Sequence, residues 1–339
     1  MATRPRRPLR PLPLGAALAL LLLILAAAML AAIAFGSVTI PPAQVVATLL
    51  GRPAPPQAST ILLAIRLPRV VLAALVGAAL AQGGAVMQGV FRNPLADPGL
   101  LGISAGAGFA AVAAIGLGVA TQGLWMLQGV AFGGAVLAAG LVYALAVRHG
   151  RTPVLTLVLA GVAVSALFAA GTTLLLTLGA MSDDVRAMLQ WLYGGLDGAL
   201  WRQDAVLAPV VAVGGALMLL FARELNLVSA GEEGAAALGV PVELARRVLL
   251  ALVALVTGAA VAAAGPVAFV GLMVPHILRR FVGADHRALL PACLVGGAAF
   301  VVLADLLARV ALRPAEINLG VVTAILGVPF FLYLLRRAS

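Results

Sequence analysis

The sequence contains no lysine, only one cysteine and only three histidines, and each shortage excludes a kind of site. Without lysine there can be no Walker A phosphate-binding loop. A single cysteine, Cys293, excludes an internal disulfide and a cysteine-built metal centre, and its apolar surroundings predict a small buried side chain. His276 has no second histidine or carboxylate at ligand spacing, so we predict a packed or hydrogen-bonded residue rather than a metal ligand.

Charged residues are also scarce. They make up 10% of the 339 residues, whereas 63% are hydrophobic and the mean hydropathy is +1.14. A soluble core of this size could not bury so much apolar surface. All 22 basic residues are arginines and the net charge is +10. The composition therefore predicts an all-α protein that crosses a membrane many times.

Ten apolar runs approach the roughly 20 residues that a helix needs to cross a bilayer. They are Leu12–Phe35, Val70–Met87, Leu101–Val119, Leu124–Val147, Val154–Leu178, Val206–Phe221, Val248–Ala264, Leu272–Phe281, Leu289–Val310 and Leu319–Leu335. The eighth is too short to span alone, so we expect protein to shield its ends. Ten crossings place both termini on one side, and we treat residues 1–339 as a single transmembrane domain.

The arginines orient these crossings. The first run follows a basic head and could be a secretory signal, but its apolar length favours a retained helix. With a cytoplasmic N-terminus, fifteen arginines fall on the cytoplasmic side and seven on the other, which the positive-inside rule favours. The fifteen are Arg4, Arg6, Arg7, Arg10, Arg92, Arg148, Arg151, Arg223, Arg246, Arg247, Arg279, Arg280, Arg287, Arg336 and Arg337.

A weak internal repeat accompanies the crossings. Residues Gly77–Pro94 and Gly258–Pro275 align without gaps and match at seven of eighteen positions. The two segments run in opposite directions in this topology. Inverted repeats of this kind are common in transporters whose site lies between the repeats.

The longest cytoplasmic connection, residues 223–247, has the features of a docking segment. Ser229 and Glu232 have the spacing of a capping box at the start of a short helix, which Gly239 and Pro241 would end. The acidic pair Glu232 and Glu233 suits a negatively charged lipid surface poorly. We therefore predict that another protein docks here.

Few ionisable residues fall within the predicted crossings, which disfavours a carrier coupled to protons or sodium. Asp305 and Arg309 lie four residues apart and predict a local ion pair on one helix face. A membrane-embedded enzyme is also disfavoured, because Ser104 and Ser165 have no histidine or aspartate at useful spacing. The sequence indicates a passage that takes its energy from a partner.

Seven motifs in order resemble the FecCD family, the permease subunits of ABC importers for iron chelates, haem and cobalamin. They are Arg66–Arg69, Gln88–Gly102 with its NPLADPGLLG core, Trp191–Leu196, Gly231–Glu233 with Leu238–Val240, Gly265–Arg280, Asp285–Arg287 and Gly320–Leu335. Asn318 departs from the family, which often has proline there.

The resemblance implies a type II ABC importer permease: a homodimer of ten-helix subunits in the bacterial inner membrane, with both termini cytoplasmic. Two ATP-binding subunits would lie below and a periplasmic substrate-binding protein above. The permease itself would be no enzyme, with no catalytic residue, cofactor or resident metal, and nucleic acid is not an expected partner. Haem is the first expectation for the cargo, with a ferric siderophore next and cobalamin third.

The resemblance also implies three groups of site residues. The coupling residues that would contact the ATPase are Ser229, Gly231, Glu232, Glu233, Leu238, Gly239 and Val240. Arg66, Arg69 and Arg309 would meet carboxylates on the binding protein, a role that suits the guanidinium group; interfacial snorkelling is the alternative for Arg66 and Arg69. Asn93, Pro94 and Leu95 would narrow the cytoplasmic mouth, or would form only a tight turn.

Overall fold

The computed structural model describes residues 12–36, 40–52, 55–179 and 184–338, so the basic head from Arg4 to Arg10 lies outside the described residues. Within these ranges the regular structure is helical, and no strand is present beyond isolated bridges. The α-helices are α1 (Leu14–Ala34), α2 (Pro42–Leu49), α3 (Pro56–Thr60), α4 (Leu67–Val90), α5 (Ile103–Gly116), α6 (Leu124–Ala146), α7 (Val154–Leu178), α8 (Asp184–Leu192), α9 (Trp201–Leu220), α10 (Ala222–Ala230), α11 (Glu232–Ala237), α12 (Val242–Ala264), α13 (Val270–Val282), α14 (His286–Val310) and α15 (Leu319–Ala338).

Each of the ten predicted crossings corresponds to one of these helices, which confirms the all-α fold. Eight segments of the described chain are long and apolar enough to cross a membrane. The other two crossings are α5, with 14 residues, and α13, with 13 residues. The first half of α13, from Val270 to Pro275, is buried, so protein shields this short helix as expected.

Helices α4 and α14 form the centre of the bundle and run in opposite directions. Gly77 of α4 lies against Gly297 of α14, and Gly89, twelve residues later, lies beside His286 at the start of α14. A Cβ atom on either Gly77 or Gly297 would overlap the carbonyl oxygen of the other. Glycine at both positions lets the two backbones touch, a common way of packing helices in a membrane.

The bundle has two distinct ends, which we call the arginine end, where Arg66, Arg69 and Arg309 lie, and the coupling end, where residues 223–247 lie. At the arginine end, Arg66, the residue before α4, donates to the Ile33 carbonyl, and Arg309 in the last turn of α14 donates to the Ala32 carbonyl, so both meet the last turn of α1. At the coupling end, the Leu12 N–H donates to the Phe281 carbonyl at 2.8 Å. Leu334 near the end of α15 packs with Leu95, which follows α4. The amino end of α1 and the carboxyl end of α15 thus both lie at the coupling end.

The two repeat segments begin within α4 and α12, which run in opposite directions, as predicted. The later residues of the two segments do not correspond in structure. Helix α4 continues to Val90, whereas α12 ends at Ala264 and the chain turns at Gly265, where φ is +68°. The Gly195 N–H donates to the Ala264 carbonyl at 2.8 Å. From this turn, α13 runs back toward the coupling end.

Helix α9 begins five residues earlier than predicted and brings a buried acid into the membrane domain. Helix α9 starts at Trp201 rather than Val206, so Asp204 lies in its first turn. An acidic residue suits this position because the amino end of a helix carries partial positive charge. Asp204 is 5% exposed, and neither carboxylate oxygen has a hydrogen-bond partner within the described residues. The observed crossings therefore contain a buried carboxylate that lay outside the predicted runs.

Candidate functional site

The predicted docking segment folds into two short helices and the start of a long one. Gly231, with φ at +149°, separates α10 from α11, and Gly239, with φ at +82°, separates α11 from α12. Pro241 immediately precedes the first residue of α12. Gly239 and Pro241 thus end the short helix as predicted.

The capping role predicted for Ser229 is wrong. Ser229 lies in the last turn of α10, where its hydroxyl donates to the Leu225 carbonyl at 2.6 Å and lies 3.2 Å from the Gly89 carbonyl, the second acceptor that its one proton can reach. Gly231 takes the N-cap position of α11 without a side-chain hydrogen bond. Because α10 extends through Ser229, the hydroxyl satisfies a carbonyl of its own helix and lies beside one at the end of α4.

The two glutamates of the segment have different surroundings. Glu232 forms an ion pair with the buried Arg246 at 2.6 Å, and Arg246 also pairs with Glu243 at 2.6 Å. The same guanidinium donates to the Thr152 carbonyl at 3.0 Å, in the connection between α6 and α7. Glu232 therefore anchors α11 to the bundle. Glu233 is exposed, as is Leu238 at 68% of its surface.

Asn226 is a residue of this region that the sequence analysis missed. Its amide nitrogen donates to Asp285 at 2.6 Å, and its oxygen accepts the His286 backbone N–H at 2.9 Å. Asp285 is the N-cap of α14 and accepts the Arg287 N–H at 2.9 Å. The bonds from Arg287 and Asn226 lower the pKa of Asp285. Asn226 therefore ties α10 to the start of the central helix α14.

The turn predicted as a cytoplasmic gate lies at the coupling end. The Leu95 N–H donates to the Asn93 side-chain oxygen at 2.9 Å, which closes a tight turn after α4. Leu95 packs against Leu272 and Leu334, on α13 and α15, while Pro94 is exposed. The turn thus connects three crossings at one point. Its role as a gate stays a prediction.

Arg66, Arg69 and Arg309 come together at the arginine end. Asp305 lies between two of them, with its carboxylate 3.0 Å from the Arg69 guanidinium and 2.9 Å from that of Arg309. Arg69 also pairs at 2.9 Å with both Asp197 and Glu316. The predicted ion pair between Asp305 and Arg309 is confirmed, and it belongs to a larger network.

Arg66 and Arg309 also close the end of α1. Arg66 donates to the carbonyls of Ile33 and Ala34, and Arg309 donates to those of Ala32 and Phe35. The last carbonyls of a helix have no partner within it, so these guanidiniums satisfy groups that would otherwise be buried without a hydrogen bond. Arg66 is 5% exposed and Arg309 3% exposed. The Arg66 side chain thus points into the protein, which disagrees with interfacial snorkelling for this residue; docking stays a prediction for all three arginines.

This geometry defines a multi-pass helical membrane protein with the short helices of residues 223–247 at one end and a buried ion network at the other. Within the described residues, no group of three histidine, cysteine, aspartate or glutamate side chains could hold a metal ion. Solved structures and sequence relatives agree with this class.

The model of the FecCD transport family matches residues 21–337. The cobalamin import system permease protein BtuC of Halobacterium salinarum is 50% identical over 283 residues, which cover 83% of this chain and 75% of that protein. The vitamin B12 import system permease protein BtuC of Escherichia coli O157:H7 is 43% identical over 279 residues, covering 81% and 83%. A metal-chelate type ABC transporter, solved in an inward-facing conformation, superposes with a TM-score of 0.84 at 30% identity, over 95% of this chain and 99% of that one.

The chain belongs to the FecCD transport family. The resemblance drawn from the seven motifs is therefore confirmed, and with it the permease fold of an ABC importer. The relatives are permeases rather than enzymes, in agreement with the prediction that this subunit performs no chemistry. Both relatives are named for cobalamin or vitamin B12, and neither is named for haem.

Proposed function

We propose that this chain is the membrane subunit of an importer for cobalamin. The observation that carries the proposal is the 43–50% identity to permeases named for cobalamin and vitamin B12, over more than four fifths of the chain. Haem and ferric siderophores, the first and second expectations from the sequence, become the alternatives. These cargoes are all bulky chelates, so the same passage by alternating access would serve each of them.

We place the coupling end in the cytoplasm and the arginine end in the periplasm of a bacterial inner membrane. The positive-inside rule supports this orientation, because exposed Arg148, Arg151, Arg247 and Arg287 lie at the coupling end. Both termini are then cytoplasmic. Residues 1–339 act as one transmembrane domain in this proposal.

Two ATP-binding subunits would dock on the coupling segment. Its exposed Glu233, Leu238 and Gly239 form the contact surface, together with the half-buried Val240. Glu232 and Ser229 lie on the inner side, where they hold α11 and α10 against the bundle. Closure of the ATPases would then move α10, and Asn226 would pass this movement to α14.

A homodimer would form the path between its subunits, with α7 and α15 beside it. Both helices bury little of their surface within one chain, and α7 has no ionisable side chain along its 25 residues. Such a path would select its cargo by shape and by weak contacts. Because weak contacts hold the cargo loosely, the path can release it. The turn formed by Asn93, Pro94 and Leu95 would narrow its cytoplasmic mouth through the packing of Leu95 on α13 and α15.

We propose the arginine end as the docking surface for the substrate-binding protein. Arg69 is the arginine of the network that an incoming carboxylate can reach, because two of its partners, Asp197 and Glu316, have side chains 52% and 30% exposed. Arg66 and Arg309 would hold the surface in shape. An acidic group on the binding protein would then replace one of the two exposed carboxylates.

Replacing Arg69 with glutamine is expected to weaken capture of the binding protein more at low salt than at high salt, because exposed charge pairs are screened by salt. The measurement is binding to the purified complex in nanodiscs at two ionic strengths. Arg287→Gln, at the opposite end, is the control and should bind normally. Equal affinity of Arg69→Gln and the control at low salt would contradict the docking role.

The cargo is tested with vesicles that contain the complete complex and its own binding protein. Labelled cobalamin, haem and a ferric siderophore are supplied separately, each with ATP. We expect ATP-dependent accumulation of cobalamin well above that of the other two. Accumulation of haem alone would restore the first expectation from the sequence, and uptake driven by a proton or sodium gradient without ATP would overturn the importer class.

A further inference from the structure

A groove in the bundle surface lies between α6 and α12, on the side of the coupling end. Its volume is about 400 Å³. The floor consists of the buried side chains Leu101, Leu157 and Leu250, and the rim includes Val136 and Leu255, which are 37% and 43% exposed. The lining is therefore almost wholly hydrocarbon, with Tyr143 and Arg247 as its members that carry polar side-chain groups.

The lining contains one charged residue, Arg247, which is exposed in the second turn of α12. Its guanidinium donates to the Gly150 carbonyl at 3.2 Å, so it lies against the connection between α6 and α7. That connection carries two further exposed arginines, Arg148 and Arg151. A hydrocarbon groove thus ends in a cationic mouth at one edge of the membrane domain.

The acidic groups nearby do not neutralise this mouth. Glu243, one turn before Arg247, accepts hydrogen bonds from Thr152 and pairs with Arg246. Glu232 pairs with the same Arg246. The three exposed arginines remain in excess, and an anionic headgroup beside them would be attracted.

We propose that this groove binds one anionic phospholipid of the inner leaflet, with an acyl chain against the apolar lining and the headgroup phosphate at Arg247. The volume lies in the range of small-molecule sites. Guanidinium groups pair well with phosphate oxygens, and basic pockets between transmembrane helices bind anionic headgroups. The proposal depends on the membrane orientation given above but not on the cargo or the ATPase.

The test is native mass spectrometry of the full chain, extracted from vesicles of equal parts phosphatidylglycerol and phosphatidylethanolamine. Wild-type protein should retain phosphatidylglycerol in preference to phosphatidylethanolamine. Removing one cation near an anionic headgroup weakens its binding by about fivefold, so Arg247→Gln should lower the retained ratio of the two lipids by about that factor. Arg287→Gln, an exposed arginine at the same end but outside the groove, is the matched control and should keep the wild-type ratio.

A second variant tests the apolar part. Ala251→Phe places a ring in the groove from an exposed position, and it should reduce retention of both lipids, whereas Ala212→Phe on the exposed face of α9 should not. If Arg247→Gln fails to fold, the double variant Arg148→Gln/Arg151→Gln tests instead whether the positive charge of the mouth retains phosphatidylglycerol, and it should also lower the ratio of the two lipids. Equal lipid ratios in Arg247→Gln and Arg287→Gln would overturn the proposal, as would displacement of the bound lipid by soluble glycerol phosphate.

Discussion

Replacing Asp305 with alanine is expected to lower the free energy of unfolding by about 3–5 kcal/mol, the usual cost of removing one partner from a buried ion pair. Asp305 is 1% exposed and accepts contacts from both Arg69 and Arg309. Without its carboxylate, two guanidiniums remain close together in a region of low dielectric. The measurement is the unfolding of the purified protein in mixed micelles by a denaturing detergent.

Glu316→Gln and Asp197→Asn are the controls for this prediction, because each removes a negative charge from the same network. Their side chains are 30% and 52% exposed, so each change should lower stability by less than about 1 kcal/mol. A loss at Asp305 no larger than at these two positions would contradict the buried network as a stabilising element. It would also weaken the argument that Arg309 holds the arginine end in shape.

The hydropathy pattern predicted the crossings well because the bilayer requires long apolar helices. Val154–Leu178 has the same bounds in the sequence analysis and in the structure. The largest errors were two helix starts. Helix α12 begins at Val242 rather than Val248, and α9 begins at Trp201 rather than Val206. At α9, Trp201 to Ala205 includes polar residues that lowered the local hydropathy. Those residues occupy the first turn, where free backbone N–H groups make polar side chains favourable.

The site residues were less predictable, because their partners are distant in sequence. Arg69 pairs with Glu316, which lies 247 residues away, and Asn226 meets His286 across 60 residues. No periodicity or motif carries such a pairing. The capping box at Ser229 failed for a related reason: its spacing was correct, but α10 already extended through the residue and directed the hydroxyl to Leu225 and Gly89.

The contacts that hold the coupling segment indicate how it would transmit a force from the ATPase. Arg246 holds Glu232 on one side, and Asn226 holds the start of α14 on the other. Between them, Gly231 and Gly239 are the points where the backbone adopts positive φ. A force applied to exposed Leu238 would therefore be carried by two fixed connections rather than lost in a loose loop. This arrangement makes the turn at Gly239 the position where a backbone change should affect coupling most.

Replacing Gly239 with valine is expected to reduce cargo uptake at least tenfold while the assembled complex continues to hydrolyse ATP. The left-handed region costs a side-chain-bearing residue roughly 1–2 kcal/mol, which corresponds to about a tenfold change in an equilibrium or a rate. Apart from the glycine itself and its two chain neighbours, no atom of the described residues lies within 4 Å of the position that a Cβ would take, so the effect is on the backbone and not a collision. Relaxation of that strain would reorient Leu238 and Val240, the residues beside it on the contact surface.

Uptake and ATP hydrolysis are measured on the same preparation of complex in vesicles, so that the ratio of cargo moved to ATP consumed is obtained directly. Gly239→Asn is the matched control, because asparagine tolerates positive φ, and it should keep most of the uptake. Gly234→Ala, inside α11 with open space around it, should behave as wild type. A strained turn between two anchored helices cannot transmit movement in its original direction. If Gly239→Val moves as much cargo per ATP as the wild type, the work of the ATPase must therefore enter the permease elsewhere.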